Sequence, residues 1–109
     1  MIYKILDAAE WAEAQARGRY EGSEVDRHDG FIHFSTAAQV YETARRHFAG
    51  RSNLVLVAVN AEALNQLKWE PSRGGDLFPH LYAPLAISAA RWSRPILWDG
   101  EQHLLPELD

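Results

Sequence analysis

Leu54-Val55-Leu56-Val57-Ala58-Val59 decides the fold. Each of its six side chains is aliphatic, so neither face of this segment is suited to water. A strand that is apolar on both faces belongs in the middle of a covered sheet. The run falls far short of the ~20 residues that a membrane-spanning helix needs. The flanking segments therefore have to cover one buried central strand.

Upstream, Ile2 to Leu6 reads as a first strand. Asp7 stands as an N-cap with Glu10 as its capping-box partner, and Gly18 as the stop. In the helix between them, Ala8, Trp11, Ala12 and Gln15 share one face, while Glu13 and Arg17 pair on the other. Residues 18–29 are polar and read as a loop. Phe31 to Ser35 reads as the next strand. Thr36 and Gln39 then form a capping box, and Gly50 closes the helix they open. Its buried stripe is expected to be Ala37, Val40, Tyr41, Ala44 and Phe48, with Glu42 and Arg46 paired outside.

Downstream, a short helix is expected from Ala61 to Leu67, with Lys68-Trp69-Glu70 leading into a turn over 71–76. Phe78 to Tyr82 reads as extended, but Pro79 and Pro84 assign it to a sheet edge or a structured loop. An exposed edge there would allow dimerisation, although nothing in the sequence fixes the oligomeric state. Ala86 to Trp92 reads as the last long strand. Asp99-Gly100 marks the turn of a hairpin between Ile96–Trp98 and His103–Leu105. Helices alternate with strands early and strands accumulate late, which gives an α+β class. The expectation is one small domain over residues 1–109, with two to three helices.

Composition narrows the chemistry. The 109 residues are 47% hydrophobic and 24% charged, which is the balance of a folded globular domain. The absence of cysteine excludes disulfides, thiol catalysis, Cys-ligated zinc and iron–sulfur clusters. The N-terminus lacks a basic stretch followed by an apolar one, so a cytoplasmic protein is expected rather than a secreted or membrane protein. A formal charge of −4 argues against a binder of duplex nucleic acid. Arg45, Arg46 and Arg51 crowd one helix end and read as a solvated face. No Walker loop, Gly-x-Gly-x-x-Gly or Gly-x-Ser-x-Gly elbow occurs.

Four Trp and five His in so short a chain stand out, and two stretches concentrate them with other reactive side chains. In Asp29-Gly30-Phe31-Ile32-His33-Phe34-Ser35-Thr36, the alternation of a strand puts Ile32 and Phe34 toward the core. His33 and Ser35 then take the opposite face, beside a helix N-terminus opened by Thr36. That pairing suits a phosphate- or ribose-bearing ligand. The plainer reading makes His33 a hydrogen-bonded core residue and Ser35-Thr36 a cap. In the second stretch, Trp69-Glu70 and Phe78-Pro79-His80-Leu81-Tyr82 combine aromatic rings with a carboxylate and an imidazole. Such a wall can hold a planar ring or a sugar, and its Glu can serve as a general base. The plainer reading is a core plug beside a surface loop. His33, His80 and Glu70 lack the local spacing of a metal site, and no metal is expected.

These motifs resemble a family of small, mostly bacterial proteins, the domain of unknown function 952 family. The resemblance is carried by Ile2-Tyr3-Lys4-Ile5 with Trp11, by Asp29 to Thr36 with Gln39, and by Trp69-Glu70 with Phe78 to Tyr82. It covers nearly the whole chain. More distantly, Ile32-His33-Phe34-Ser35 followed by a helix resembles a motif of the ADP-ribosyltransferase-like superfamily, in particular the RNA 2′-phosphotransferases. That resemblance implies a mixed, split β-sheet with an NAD-shaped cleft between its halves. It implies that His33 contacts the ligand, that Lys4 takes the place of a ribose-binding residue on the first strand, and that Glu70 or His80 serves the reacting centre. Two departures stand out: Tyr3-Lys4-Ile5 replaces a His-Gly-Thr pattern, and no Glu occurs in Ala86–Trp92.

The resulting expectation is a binder of NAD, ADP-ribose or a phosphorylated nucleotide, with ribosyl or phosphoryl transfer as its chemistry. Glu70, His33 and His80 are its candidate catalytic residues. Lys4, Ser35, Thr36, Trp69, Phe78 and Tyr82 are its candidate ligand contacts. A non-catalytic binding module on the same fold is the alternative. A ligand-free His and aromatic core is the third possibility.

Overall fold

Leu54–Val59 forms a central strand, β4, between β1 (Ile2–Asp7) and β8 (Ala90–Trp98), and β9 (His103–Leu104) extends the sheet beyond β8. This is a computed structural model describing residues 1–108, and for Arg73 the backbone alone. Alternation along β4 sends Val57 and Val59 to one core, with Ile2, Leu6 and Trp11. Leu54, Leu56 and Ala58 go to a second core, with Tyr3, Ile5, Val40 and Ala44. A strand apolar on both faces is thus covered on both.

Helix α1 (Ala8–Arg17) covers the first face and α3 (Ala37–His47) the second. α1 ends where expected: Gly18 takes a left-handed conformation and its N–H bonds the Ala14 carbonyl. Its buried face differs from the expected one, since Trp11 and Ala14 are buried while Ala12 and Gln15 are exposed. The Asp7–Glu10 capping box does not form, because the Asp7 carboxylate turns to Arg51, 2.8 Å away. The Thr36–Gln39 box does form. α3 stops at His47 with Phe48 as its C-cap, and Gly50 lies in the turn beyond. Val40 and Ala44 are its buried residues, while Tyr41 and Ala37 face solvent.

The polar segment 18–29 is not a loop. Arg19–Tyr20 forms β2, paired with β7 (Leu85–Ala86), and Glu24–Asp29 forms helix α2. Ser23 and Asp26 cap α2 reciprocally, with Asp standing where the motif usually has Glu or Gln. Six residues are too few for a helix to persist unaided. Asp26 anchors this one to the body of the protein.

A second sheet holds β3 (Ile32–His33), β6 (Leu77–Leu81) and β5 (Leu67–Pro71), with β6 in the middle. The expected helix over 61–67 shrinks to one 3-10 turn, Ala61–Ala63. A left-handed Gln66 then starts β5, so Lys68-Trp69-Glu70 is strand and not lead-out. Phe78–Leu81 is therefore interior and not an edge or a loop. Pro79 is tolerated there because its carbonyl accepts from Phe34, which places its missing N–H on the β3 side just where that two-residue ladder ends. Gln39 Nε2 donates to Leu77 O on the same side, covering the gap β3 leaves. Ala86–Trp92 is likewise broken by a 3-10 turn, Ile87–Ala89, so that β7 and β8 serve different sheets.

The class is α+β, and every named strand pairing is antiparallel. The two larger sheets touch through one bridge, Tyr3 with Ser35, whose N–H···O distances are 2.8 and 2.9 Å. Beyond it β3 turns away from β1. Among the described residues, no helix is long and apolar enough to cross a membrane.

Candidate functional site

The divergence of β1 and β3 opens a cleft of ≈ 640 Å³ between α2 and α3. Strand alternation defines its floor. Tyr3 turns its N–H and C=O to Ser35, so Ile5, two residues on, turns its own toward the open edge. Lys4, Asp26, Asp29, His33, Ser35 and Phe78 are among the lining side chains.

Asp26 is the hub of this wall. It is 2% exposed, and Lys4 Nζ lies 3.0 and 2.8 Å from its two oxygens. His33 Nδ1 lies 2.6 Å from Oδ1, which also receives the His33 backbone N–H at 3.2 Å. Oδ2 receives the Ser23 N–H at 2.9 Å. Burial alone would push this carboxyl up, but the hydrogen bonds from His33 and Lys4 and the Lys4 charge outweigh it and hold it well below the usual carboxylate range. Burial pulls the Lys4 ammonium down, and Asp26 pushes back only in part. Ionised carboxylates only accept hydrogen bonds, so Nδ1 of His33 carries a proton toward Asp26. Its other nitrogen, Nε2, lies 2.9 Å from Asp29 Oδ2. Desolvation and neighbouring Asp7 raise the Glu10 carboxyl at the cleft mouth.

A second cluster adjoins this wall through the ring of Phe31. That ring stacks on His80 at 4.1 Å and touches His33 at 4.6 Å and Tyr82 at 5.2 Å. The His33 and His80 rings meet edge-on at 5.5 Å. Glu70 Oε1 accepts from Tyr82 Oη at 2.6 Å and from His80 Nδ1 at 2.8 Å. Those two bonds, Tyr82 first, hold the Glu70 carboxyl below its ordinary range. Opposite pairing on β5 and β6 explains the assembly, since Lys68 faces His80 and Glu70 faces Phe78.

His33, Glu70, His80 and Tyr82 therefore gather in one cluster, but only His33 also lines the cleft. Lys4, Ser35 and Phe78 line it too, with Ser35 Oγ 2.9 Å from Thr43 Oγ1. Thr36 serves the α3 cap. Trp69 stands opposite Pro79, one residue out of phase with Glu70, and is 47% exposed on the other face of the sheet. Trp11 packs in the core, while Trp92 is only half-buried, as is Trp98 against His103. Sequence reasoning missed Asp26 altogether, although Ser23-x-x-Asp26 is a readable cap. It also gave Asp29 and Phe31 no role: Asp29 meets His33 four residues on, while Phe31 meets His80 and Tyr82 across the fold.

Solved structures of the same shape exist. The crystal structure of protein CC0527 from Caulobacter crescentus is 54% identical, covers 93% of this chain and 90% of that chain, and superposes with a TM-score of 0.90. The solution structure of the same protein is 53% identical, with coverages of 94% and 89% and a TM-score of 0.84. No curated protein matches the chain. The profile described as "Protein of unknown function (DUF952)" matches residues 5–93, which include Asp26, Asp29 and His33 of the cleft wall and most of both sheets. The chain belongs to the DUF952 family.

Proposed function

We propose that the protein binds a ribose-bearing nucleotide, of the NAD, ADP-ribose or phosphorylated-nucleotide class, in the cleft along β1, on an ADP-ribosyltransferase-like plan. One observation carries the reading. Lys4, Asp26 and His33 come from three different elements and converge on one wall of a cleft of ≈ 640 Å³. That volume lies within the range of small-molecule sites. Carboxylate and imidazole groups fixed by mutual bonds suit ribose hydroxyls, and the Ile5 backbone edge suits an amide or a base edge. The cysteine-free composition suits a reducing, cytoplasmic setting.

Binding without turnover is the form of this reading the geometry favours, because Glu70 is committed to His80 and Tyr82 and does not line the cleft. Ribosyl or phosphoryl transfer is the second reading. It is favoured by the Phe31 ring, which links the His33 wall to the His80–Glu70 pair. Isothermal calorimetry with NAD, ADP-ribose and a 2′-phosphorylated nucleotide tests binding, and no heat from any of them at millimolar concentration would end the proposal. Turnover of one of them that is lost in Glu70→Gln would decide for transfer. Unchanged ligand after long incubation decides for binding alone.

A further inference from the structure

We infer that Asp29 is a specificity-determining residue of the cleft, selecting a ribose with a free 2′-hydroxyl over one phosphorylated at that position. This rests on the cleft binding nucleotides, and it names which of them the cleft accepts.

His33 stands at the centre of this selectivity. Its Nδ1 is fixed on Asp26, so Nε2 is the ring atom left to meet a ligand, and Asp29 Oδ2 already sits 2.9 Å from it. His33 is one-third exposed and lines the cleft together with Asp29. A hydroxyl can join this pair, because it has a proton to donate to the Asp29 carboxylate. A phosphate dianion has no proton to give that carboxylate and brings its charge against that of Asp29.

The rest of the lining agrees. Asp7, Glu10, Glu24, Asp26 and Asp29 bring carboxylates to the cleft. Among the described side chains, its Lys and Arg are already engaged: Lys4 with Asp26, and Arg51 with Asp7 at 2.8 Å. Phosphate sites use cations or helix N-termini, whereas an acidic side chain is what hydrogen-bonds a free ribose 2′-hydroxyl in dinucleotide sites. The geometry here has the acid in place at His33, and the described Lys and Arg of the lining are held by other carboxylates.

Adenosine 5′-monophosphate and adenosine 2′,5′-bisphosphate differ only in the 2′-phosphate and make a matched pair of probes. Their affinities are measured by calorimetry for the wild type, for Asp29→Asn, and for Glu62→Gln. Glu62 is exposed and outside the cleft lining, so its variant controls for net charge. Asp29 ends α2, where a negative charge opposes the helix dipole, so Asn is tolerated there. The wild type should prefer the monophosphate. Asp29→Asn should shift the ratio toward the bisphosphate by about tenfold or more, and Glu62→Gln should leave it in place. Equal ratios in all three proteins, or a wild-type preference for the bisphosphate, would overturn the selectivity while leaving nucleotide binding intact. Failure of both probes, and of ADP-ribose, to bind would remove the nucleotide reading and this inference together.

Discussion

The wall of the cleft is also a structural keystone, and Asp26→Asn tests this directly. The substitution keeps volume and an acceptor oxygen but removes the charge that Lys4 faces at 2.8 Å. Lys4 is 8% exposed, so its ammonium has little access to water. Leaving one partner of a buried pair stranded costs about 3–5 kcal/mol, a large part of the 5–15 kcal/mol that typically separates folded from unfolded chains. Lys4→Met in the same background removes the stranded charge, and replacing both charges is often close to neutral. The double variant should therefore be more stable than Asp26→Asn alone, with a coupling energy of roughly 1.5–3 kcal/mol. Urea unfolding at neutral pH, followed by the fluorescence of the four Trp, measures all four corners of the cycle. A loss under about 1 kcal/mol for Asp26→Asn, or a double variant no better than that single one, would refute the claim that this pair is buried and coupled.

Three further outcomes follow from named contacts. Because Asp26 is held below its ordinary range in the folded state, acidification protonates the unfolded chain first. The stability that this carboxylate contributes should be intact above about pH 5 and drain away as pH falls through the ordinary Asp value of about 3.9 and below. Thermal melts across that window should show a flatter acid limb for Asp26→Asn. Gly22 holds φ +105°, and a Cβ there would sit 2.8 Å from Asp26 Cβ. Gly22→Ala should thus cost about 1–3 kcal/mol in a denaturant titration and broaden or shift the His33 ring signals by NMR, whereas Gly100→Ala, where the space is open, should leave those signals alone. Gln39→Ala loses both the bond to Thr36 N–H and the one to Leu77 O. It should cost about 0.5–1.5 kcal/mol per bond, and amide exchange should speed up at the first turn of α3.

What the sequence displayed clearly was periodicity. The uniform aliphatic run of β4, the Thr36–Gln39 cap and the Gly18 stop each depend on neighbours in the chain, and each forms. Alternation also placed Ile32 and Phe34 in the core and left His33 and Ser35 for the cleft. The misreadings share a cause of the opposite kind. Pro79 looked incompatible with an interior strand because the two-residue length of β3, and the Gln39 side chain that fills the gap, are facts of tertiary structure. Segment 18–29 looked like loop because the helix it contains is held by Lys4 and His33, 22 and 7 residues from Asp26. Asp7 could be seen as a cap, but not as the partner of Arg51, 44 residues away.

Asp26 shows why the site and the short helix cannot be separated. A six-residue helix supplies too few backbone bonds to outweigh its nucleation cost, so α2 persists by virtue of what Asp26 binds at the cleft wall. The same carboxylate fixes the ring of His33, and the end of the same helix places Asp29 on the ring's other nitrogen. A ligand hydroxyl that bonds to Asp29 would act on the last turn of α2, while Ser23 and Lys4 still hold its first turn. Ligand binding should therefore change amide exchange most at residues 28–30 and least at Asp26. If binding instead protected all of α2 uniformly, the helix would be ordered by the ligand rather than by Asp26, and the hub assigned to that residue would be wrong.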